Sequence, residues 1–184
     1  MRKNVLLEQA HAILSSLIQK DDVIIDATMG NGHDTLFLSS IAKEVYAFDI
    51  QKQAIEHTEE KVKDMRHVHL ILDSHENILN YVTSFQGVIF NLGYLPQGDE
   101  KITTMHETTI KTLNLLLPKL PKQGFIQLVV YPGHEEGMIE HRAIQEWLKT
   151  LNSHHYQITQ SHFYHQEKRP PYMIMIYKTK DESC

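Results

Sequence analysis

Apolar residues near the start of the chain recur at the spacing of a helix. In residues 4–19 they fall on one face, with polar residues such as Glu8, Gln9 and Gln19 between them. This pattern predicts an amphipathic helix within residues 1–20, ahead of the first strand. The apolar positions of this face are Leu6, Ala10, Ile13, Leu14 and Leu17.

Strand-like and helix-like segments then alternate along the chain. The alternation predicts right-handed crossovers and a parallel sheet with helices on both faces. The predicted strands are 23–28, 45–49, 68–72, 87–92 and 125–131. The predicted helices are 34–42, 51–64, 75–83, 103–117 and 136–150.

The end of the chain breaks this alternation. Two further strand-like runs, 156–161 and 172–177, are separated by only ten residues. That gap is too short for a helical crossover, so the last strand should run antiparallel to its neighbour. We therefore predict an α/β fold in one domain, 1–184, with a doubly wound, mostly parallel, seven-stranded Rossmann-like sheet.

Composition agrees with an ordinary globular domain. Of the 184 residues, 41% are hydrophobic and 22% charged, and no apolar run approaches the length of a membrane span. The first residues lack the apolar core of a secretory signal, and the only cysteine is Cys184. We expect a cytoplasmic protein without an internal disulfide. The net charge of −5 argues against broad nonspecific binding to nucleic acid but leaves room for a local basic patch.

The segment from Asp26 to Asp34, Asp-Ala-Thr-Met-Gly-Asn-Gly-His-Asp, follows the first predicted strand and opens the next helix. Glycines at 30 and 32 let the backbone turn sharply and approach a ligand closely. Asp49 ends the second strand, about 20 residues on, where a doubly wound fold places its ribose-binding carboxylate. Thr35 stands where a dinucleotide motif has a third glycine. The motif therefore favours S-adenosylmethionine over a dinucleotide, and with the antiparallel last strand it indicates a class I methyltransferase.

Polar groups follow every predicted strand, and in parallel sheets these ends border the ligand crevice. We expect Asp26 to hold the glycine turn or to accept from an ammonium group, and Asp49 to accept from ribose hydroxyls. Asp73 suits the adenine amine, although Asp73 and Ser74 also resemble a helix cap. The predicted cofactor-binding residues are Asp26, Met29, Gly30, Asn31, Gly32, His33, Asp34, Asp49, Gln51, Asp73, Ser74, His75 and Asn91.

The segment Asn91-Leu-Gly-Tyr94 resembles the Asn/Asp-Pro-Pro-Tyr element of methyltransferases that act on nitrogen. In that element the Asn side chain and the next carbonyl accept from the target amine, and the aromatic ring stacks on the substrate. The resemblance implies catalytic roles for Asn91, Leu92 and Tyr94. The alternative is an ordinary strand exit with a surface tyrosine.

The segment Tyr131-Pro-Gly-His134 follows the fifth strand, and we expect Tyr131, Gly133 and His134 to bind the acceptor. His134 is also a candidate proton acceptor, or alternatively a structural residue at a helix start. A zinc site is not predicted, because Met138 occupies the position where a second histidine is needed.

Lys168 and Arg169 lie between the last two strands. They are candidates for phosphate contacts on a nucleic acid. A solvated turn made rigid by the following prolines explains them equally well.

Three segments together resemble a bacterial family of small methyltransferases labelled rRNA methylase: 26–35, 91–99 and 131–137. The resemblance extends over nearly the whole chain. The family is associated with methylation of 5-aminomethyl-2-thiouridine at the tRNA wobble position to 5-methylaminomethyl-2-thiouridine. The resemblance implies a class I fold, S-adenosylmethionine as donor, the tRNA anticodon arm as partner and a homodimer.

Other classes of protein with this fold or with a similar donor site are alternatives. An rRNA methyltransferase or a small-molecule amine methyltransferase would share the donor site. A nicotinamide-dependent reductase is disfavoured by Thr35, and a noncatalytic RNA-binding module by the intact Asp49 and Asp73.

Overall fold

A single seven-stranded sheet organises the chain, as a computed structural model that describes residues 4–93, 104–165 and 169–180 shows. The strand order across the sheet is β3-β2-β1-β4-β5-β7-β6. The strands are β1 (Val23–Asp26), β2 (Glu44–Asp49), β3 (Val68–Leu72), β4 (Gly87–Leu92), β5 (Phe125–Val130), β6 (Tyr156–Ser161) and β7 (Tyr172–Lys178).

Five α-helices and two short 3-10 segments connect and flank these strands in the described ranges. The 3-10 segments are His75–Asn80 and Leu117–Lys119. The α-helices are α1 (Val5–Leu17), α2 (His33–Ser39), α3 (Lys52–Val62), α4 (His106–Leu116) and α5 (Glu135–Lys149).

The strand directions confirm the predicted fold class. Strands β1 to β5 pair in parallel, whereas β7 runs antiparallel to both of its neighbours, β5 and β6. The β6–β7 connection is too short to recross the sheet, so β7 returns beside β6 in the opposite direction. The result is one mostly parallel sheet with an antiparallel C-terminal strand.

Two apolar layers cover the sheet. On one face, Leu6, Ala10 and Leu14 of α1 pack with Leu38 of α2 against the strands. The small Ala54 of α3 packs on the same face, against Met29 and Ala47. On the opposite face, apolar side chains of the 3-10 segment at 75–80, of α4 and of α5 pack against the strands. Because side chains alternate along each strand, each one supplies both layers.

One predicted helix differs in the structure. Residues 75–83 were expected to be α-helical, but only His75–Asn80 are helical, in a 3-10 conformation. Asn77, Asn80 and the β-branched Val82 have low helix propensity, and tight 3-10 turns rarely extend further.

The strand order reverses between β1 and β4, which lie side by side at the middle of the sheet. From this point β2 and β3 extend in one direction and β5 in the other. A crevice opens at such a switch point, outside the carboxyl ends of the strands. In the part of the chain that the structure describes, no helix is long and apolar enough to cross a membrane.

Candidate functional site

A cavity of about 780 Å³ lies at the carboxyl ends of the central strands. This volume suits a cofactor-sized ligand together with an acceptor group. Tyr94 and Lys168, both predicted to contact substrate, fall outside the described residues. The predicted residues that line the cavity are Met29, Gly30, Asn31, His33, Asp34, Asp49, Gln51, Asp73, Ser74, His75, Asn91, Leu92, Tyr131, Gly133, His134 and Arg169.

The turn between β1 and α2 depends on its two glycines. Gly30 has φ 52° and Gly32 has φ 74°, both in the left-handed region that favours glycine. A Cβ on Gly32 would lie 2.5 Å from the Thr58 hydroxyl oxygen of α3. Gly32 thus allows α2 and α3 to approach closely, while Gly30 faces the cavity.

The Asp49 carboxylate ties the glycine turn to the end of β2. Its two oxygens accept from the backbone N–H groups of Gly30 at 3.0 Å and Gln51 at 2.9 Å. Burial raises the pKa of Asp49 above its ordinary value, and these backbone hydrogen bonds oppose the rise. Each oxygen keeps a second lone pair, so the carboxylate retains capacity for ribose hydroxyls.

Asp73 lies at the end of β3 and is held from several sides. Its carboxylate accepts from the Ser74 N–H, the Asn77 amide and the Tyr81 hydroxyl. The bonds from Asn77 and Tyr81 lower its pKa. Ser74 also caps the 3-10 segment through Glu76 N–H at 3.3 Å. Asp73 and Ser74 therefore form the cap that the sequence suggested and also border the cavity.

Asp26 is fully buried beneath the cavity and is absent from its lining. It accepts from the Thr35 hydroxyl at 2.6 Å and from the Thr28 N–H at 3.3 Å. Burial, with a smaller contribution from the Asp34 charge, raises the pKa of Asp26 to about 7. Of its two predicted roles, that of holding the turn agrees with this geometry, and contact with an ammonium group stays a prediction.

His75 is a neutral side chain in the wall of the cavity. Burial lowers its pKa to about 4, and its Nδ1 is 2.8 Å from the Thr112 hydroxyl. Its ring meets Phe90 edge to face. A neutral, partly apolar wall of this kind suits the flat face of a nucleobase.

The Asn91 side-chain amide has a hydrogen-bond partner for its nitrogen and, among the described residues, none for its oxygen. Its Nδ2 donates to the Asp34 carboxylate, and its backbone N–H donates to the Thr28 hydroxyl at 2.7 Å. Among the described residues, its buried Oδ1 has no hydrogen-bond partner. A buried acceptor without a donor is costly, so this oxygen marks a place where a ligand N–H fits.

His11 completes a chain of polar contacts behind Asn91. Its Nε2 lies 2.5 Å from the second oxygen of Asp34. The sequence did not single out His11 as a site residue, because it appears there only as a polar position on the first helix. Three elements far apart in sequence, α1, α2 and β4, meet in this contact.

His134 caps α5 at the opposite wall of the cavity. Its Nδ1 accepts from the Gly137 N–H at 3.1 Å. A neutral ring that accepts at Nδ1 carries its proton on Nε2. The geometry therefore shows a structural role for His134 at the start of α5, and its role as a proton acceptor stays a prediction.

Gly93 and Thr104 bring the chain back to one point beside the cavity. The Thr104 N–H donates a hydrogen bond to the Gly93 carbonyl at 2.9 Å. In return, the Gly93 N–H donates to the Thr104 hydroxyl at 2.9 Å. That hydroxyl in turn donates to the buried Glu140 of α5 at 2.8 Å. Gly93 and Thr104, which flank residues 94–103 in sequence, thus lie together beside the cavity.

A cationic region adjoins the cavity mouth. Arg142 and Arg169 line a second depression that shares Gly133 and His134 with the main cavity. The pKa of His141 is lowered chiefly by burial and further by the charges of Arg169, His162 and Arg142. Among the described residues, no carboxylate forms a salt bridge with either arginine. The described lining of this depression holds these two arginines and one acidic residue, Glu135, so arginines outnumber carboxylates there although the chain is acidic as a whole.

Several lining residues were missed in the sequence. Ala27, Thr28 and Gly93 lie inside segments that the sequence singled out, whereas side chains such as Leu7 and Thr108 enter the cavity only through the packing of their helices. The additional lining residues are Leu7, Ala27, Thr28, Ile50, Glu76, Gly93, Thr104, Met105, Thr108 and Pro171.

Comparison with known proteins points to one family. A family model described as "Putative rRNA methylase" matches residues 45–177. The chain is 37% identical over 155 residues to the chloroplastic tRNA (mnm(5)s(2)U34)-methyltransferase of Arabidopsis thaliana, covering 75% of the chain and 57% of the relative. It is 33% identical over 109 residues to ribosomal RNA small subunit methyltransferase H of Streptococcus equi, covering 53% and 34%. The chain thus spans just over half of the first relative and about a third of the second.

Solved structures match the chain over nearly its whole length. A protein of the same description from Clostridium thermocellum has a TM-score of 0.90 and 36% identity, covering 97% of this chain and 99% of that one. The Streptococcus mutans protein solved in complex with SAH has a TM-score of 0.88 and 39% identity, with the same coverage. An rRNA methylase from Streptococcus thermophilus has a TM-score of 0.82 and 30% identity, covering 98% and 99%.

Proposed function

The chain belongs to the rRNA methylase family, and we propose that it methylates the primary amine of 5-aminomethyl-2-thiouridine at the tRNA wobble position. The product is 5-methylaminomethyl-2-thiouridine. Family membership confirms the predicted class, an S-adenosylmethionine-dependent RNA methyltransferase of class I fold. The acceptor, the tRNA anticodon arm and the modified position are our proposal.

The observation that carries this acceptor is the buried Asn91 oxygen without a hydrogen-bond donor in the described part of the chain. An uncharged amine has two N–H groups to donate and one lone pair for attack. The buried Oδ1 of Asn91 lacks a donor among the described residues. An amine that donates to this oxygen and to the Leu92 carbonyl has its lone pair directed away from both. A hydroxyl or a ring carbon would satisfy this pair of acceptors less well.

The cavity has the groups that S-adenosylmethionine requires. We assign the ribose to Asp49, whose carboxylate is fixed by Gly30 and Gln51. The nucleobase lies against His75 and Asp73, and the amino-acid part lies along the turn that Gly30 and Gly32 make possible. S-adenosylmethionine supplies a methyl group on a sulfonium, so transfer to a neutral amine needs no metal ion.

The protein contributes mainly by positioning in this account. An alkylamine is mostly protonated near neutral pH, and its ammonium form has no lone pair for attack. The ammonium must therefore first lose a proton to solvent, and Asn91 then accepts from the neutral amine and aligns it. Alignment of two reactants supplies a large part of many rate accelerations. We expect Tyr94, which lies outside the described residues, to stack on the uracil ring.

The cationic region beside the cavity supports an RNA acceptor over a free small amine. Arg142 and Arg169 adjoin the cavity mouth without a carboxylate partner among the described residues. Backbone phosphates are the natural partners of such groups, and they fix the register of a bound strand. Lys168 stays a predicted member of this region. The homodimer and the cytoplasmic location also stay predictions.

A second candidate acceptor is ribosomal RNA. It is favoured by the similarity to the Streptococcus equi small-subunit methyltransferase. The same donor site serves either substrate, so the two are separated only by the acceptor that receives the methyl group.

The test uses labelled S-adenosylmethionine and three acceptors from cells that lack this protein: total tRNA, ribosomal RNA and a set of small alkylamines. We expect label in tRNA alone. Label in ribosomal RNA alone would favour the second candidate, and label in small amines alone would exclude an RNA acceptor.

A further inference from the structure

We propose that His11 is a positioning residue for the acceptor amine. Acting through Asp34, it holds the Asn91 side chain in the orientation that keeps the amide oxygen as an acceptor for the amine. This inference rests on the function proposed above, in which the Asn91 oxygen receives the amine.

The geometry links the three side chains in one line. His11 Nε2 contacts one oxygen of Asp34 at 2.5 Å, and Asn91 Nδ2 donates to the other. With one partner on each oxygen, the carboxylate cannot rotate without losing a hydrogen bond. Only the nitrogen end of an amide can donate to a carboxylate, so the fixed Asp34 also fixes the oxygen as the end of Asn91 that is left to accept from a ligand.

The imidazole ring of His11 is itself held in place. It stacks on Phe37 with a centroid distance of 3.9 Å and an interplanar angle of 2°. Phe37 lies three residues after Asp34 on α2. Helix α2 therefore supplies both the side chain on which the His11 ring stacks and the carboxylate that His11 contacts. The His11 side chain is 30% exposed and that of Asp34 14%.

The Asp34 charge acts on two other ionisable neighbours. Asp26 lies beneath it, and the Asp34 charge helps to raise the pKa of Asp26. Tyr131 stands on the other side, and its pKa is raised by burial and by the same charge. Without His11, one oxygen of Asp34 would face solvent, and the carboxylate would be free to turn away from Asn91.

Two substitutions separate hydrogen bonding from packing. His11→Phe keeps a ring to stack on Phe37 but has no donor, whereas His11→Gln keeps an N–H donor without the imidazole. We expect His11→Phe to lower kcat about 10- to 100-fold, because small misplacements of reacting groups have effects of that size. The KM for RNA and the affinity for SAH should stay unchanged. His11→Gln should stay within about 3-fold of the wild type.

A double-mutant comparison shows whether His11 acts through Asn91. If it does, His11→Phe combined with Asn91→Ala is no slower than Asn91→Ala alone, because the oxygen to be positioned is already gone. The matched control is His69→Phe. His69 forms a similar pair with Glu44 at 2.6 Å and stacks on Tyr46, but it lies on the edge strand β3 away from the cavity. Its substitution should leave turnover unchanged.

A second readout does not depend on the acceptor or on turnover. In the free protein, the ¹⁵N–¹H signals of the Asn91 side-chain amide should be shifted by the charged acceptor in the wild type and in His11→Gln. They should move towards ordinary values in His11→Phe. An unchanged amide spectrum in folded His11→Phe would overturn the proposal, as would independent losses in the double variant.

These outcomes are separate from the fate of the proposed function. If the wild type methylates no amine in tRNA, the proposed acceptor is wrong. The amide spectrum then still decides whether His11 orients Asn91.

Discussion

Asp34 and Asn91 are 57 positions apart in sequence, yet the carboxylate of the first accepts from the amide nitrogen of the second. Asp34 lies in the first turn of α2, next to the turn that shapes the donor site, and Asn91 is the second-last residue of strand β4. The contact thus joins the part of the cavity that we assign to the methyl donor with the part that we assign to the acceptor. The Asn91 oxygen is buried and has no hydrogen-bond partner among the described residues.

Removal of the Asn91 amide should affect turnover far more than donor affinity. Asn91→Ala deletes the acceptor oxygen, and we expect kcat to fall about 100-fold because the amine is no longer aligned. The SAH dissociation constant, measured by calorimetry, should change less than about 3-fold, because the donor contacts remain. Asn80→Ala, at an exposed position, is the control. Equal losses in turnover and SAH affinity would contradict the assigned role.

A side chain at position 32 should disrupt the donor site. Gly32→Ala forces a left-handed residue to carry a Cβ that lies 2.5 Å from the Thr58 hydroxyl oxygen. The strain should lower the free energy of unfolding by about 1–3 kcal/mol. SAH affinity should fall at least about 10-fold, because the strain is relieved by moving the cofactor turn. Chemical denaturation and calorimetry measure both, and a variant that binds SAH like the wild type would show that this turn is not the donor site.

Asp26 should make stability depend on pH in an unusual direction. The folded protein holds its pKa at about 7, against an ordinary value of 3.8. Between these values the folded state keeps a proton that the unfolded chain releases, so the contribution of Asp26 to stability falls as the pH rises. Relative to Asp26→Asn, the wild type should lose up to about 1.4 kcal/mol per pH unit in this window.

Above pH 7 the difference between wild type and Asp26→Asn should level off, because Asp26 is then charged in both states. Urea unfolding of both proteins at several pH values from 4 to 8 provides the test. A difference that stays constant across that range would contradict the assigned protonation of Asp26.

The cationic region should contribute to RNA binding through phosphate contacts. Arg142→Ala and Arg169→Ala should each weaken binding of an anticodon stem-loop. Each should also reduce the slope of log K against the logarithm of the salt concentration by about 1, the value expected for the loss of one phosphate contact. Arg66→Ala is the matched control, because Arg66 is exposed near the start of β3, at the opposite edge of the sheet. An unchanged salt slope in both test variants, or a decrease in the control, would remove this region as the RNA surface.

The sheet was predictable from the sequence because its signals are local. Apolar runs of four to seven residues became strands, and the short gap before β7 set its antiparallel direction. The residues after each strand were also predictable as cavity lining, since parallel strands end at one edge. This reasoning placed Gly30, Asp49 and Asn91 correctly on the cavity.

The polar network behind the site was not predictable in the same way. His11 lies on a helix that precedes the sheet, and nothing in its local sequence shows that α1 crosses beside α2. Asp26 matched a ligand-binding pattern, but burial places it under the turn. Both outcomes depend on tertiary packing between distant segments, which hydrophobic periodicity does not encode.

The measurement that tests the central claim most directly is nucleoside mass spectrometry of tRNA. Unmodified tRNA from cells lacking this protein is incubated with the purified protein and S-adenosylmethionine, with Asn91→Ala in parallel. The account predicts that 5-aminomethyl-2-thiouridine is converted to its methylamino form by the wild type and only marginally by the variant. A methyl group on any other nucleoside, or equal conversion by both proteins, would contradict it.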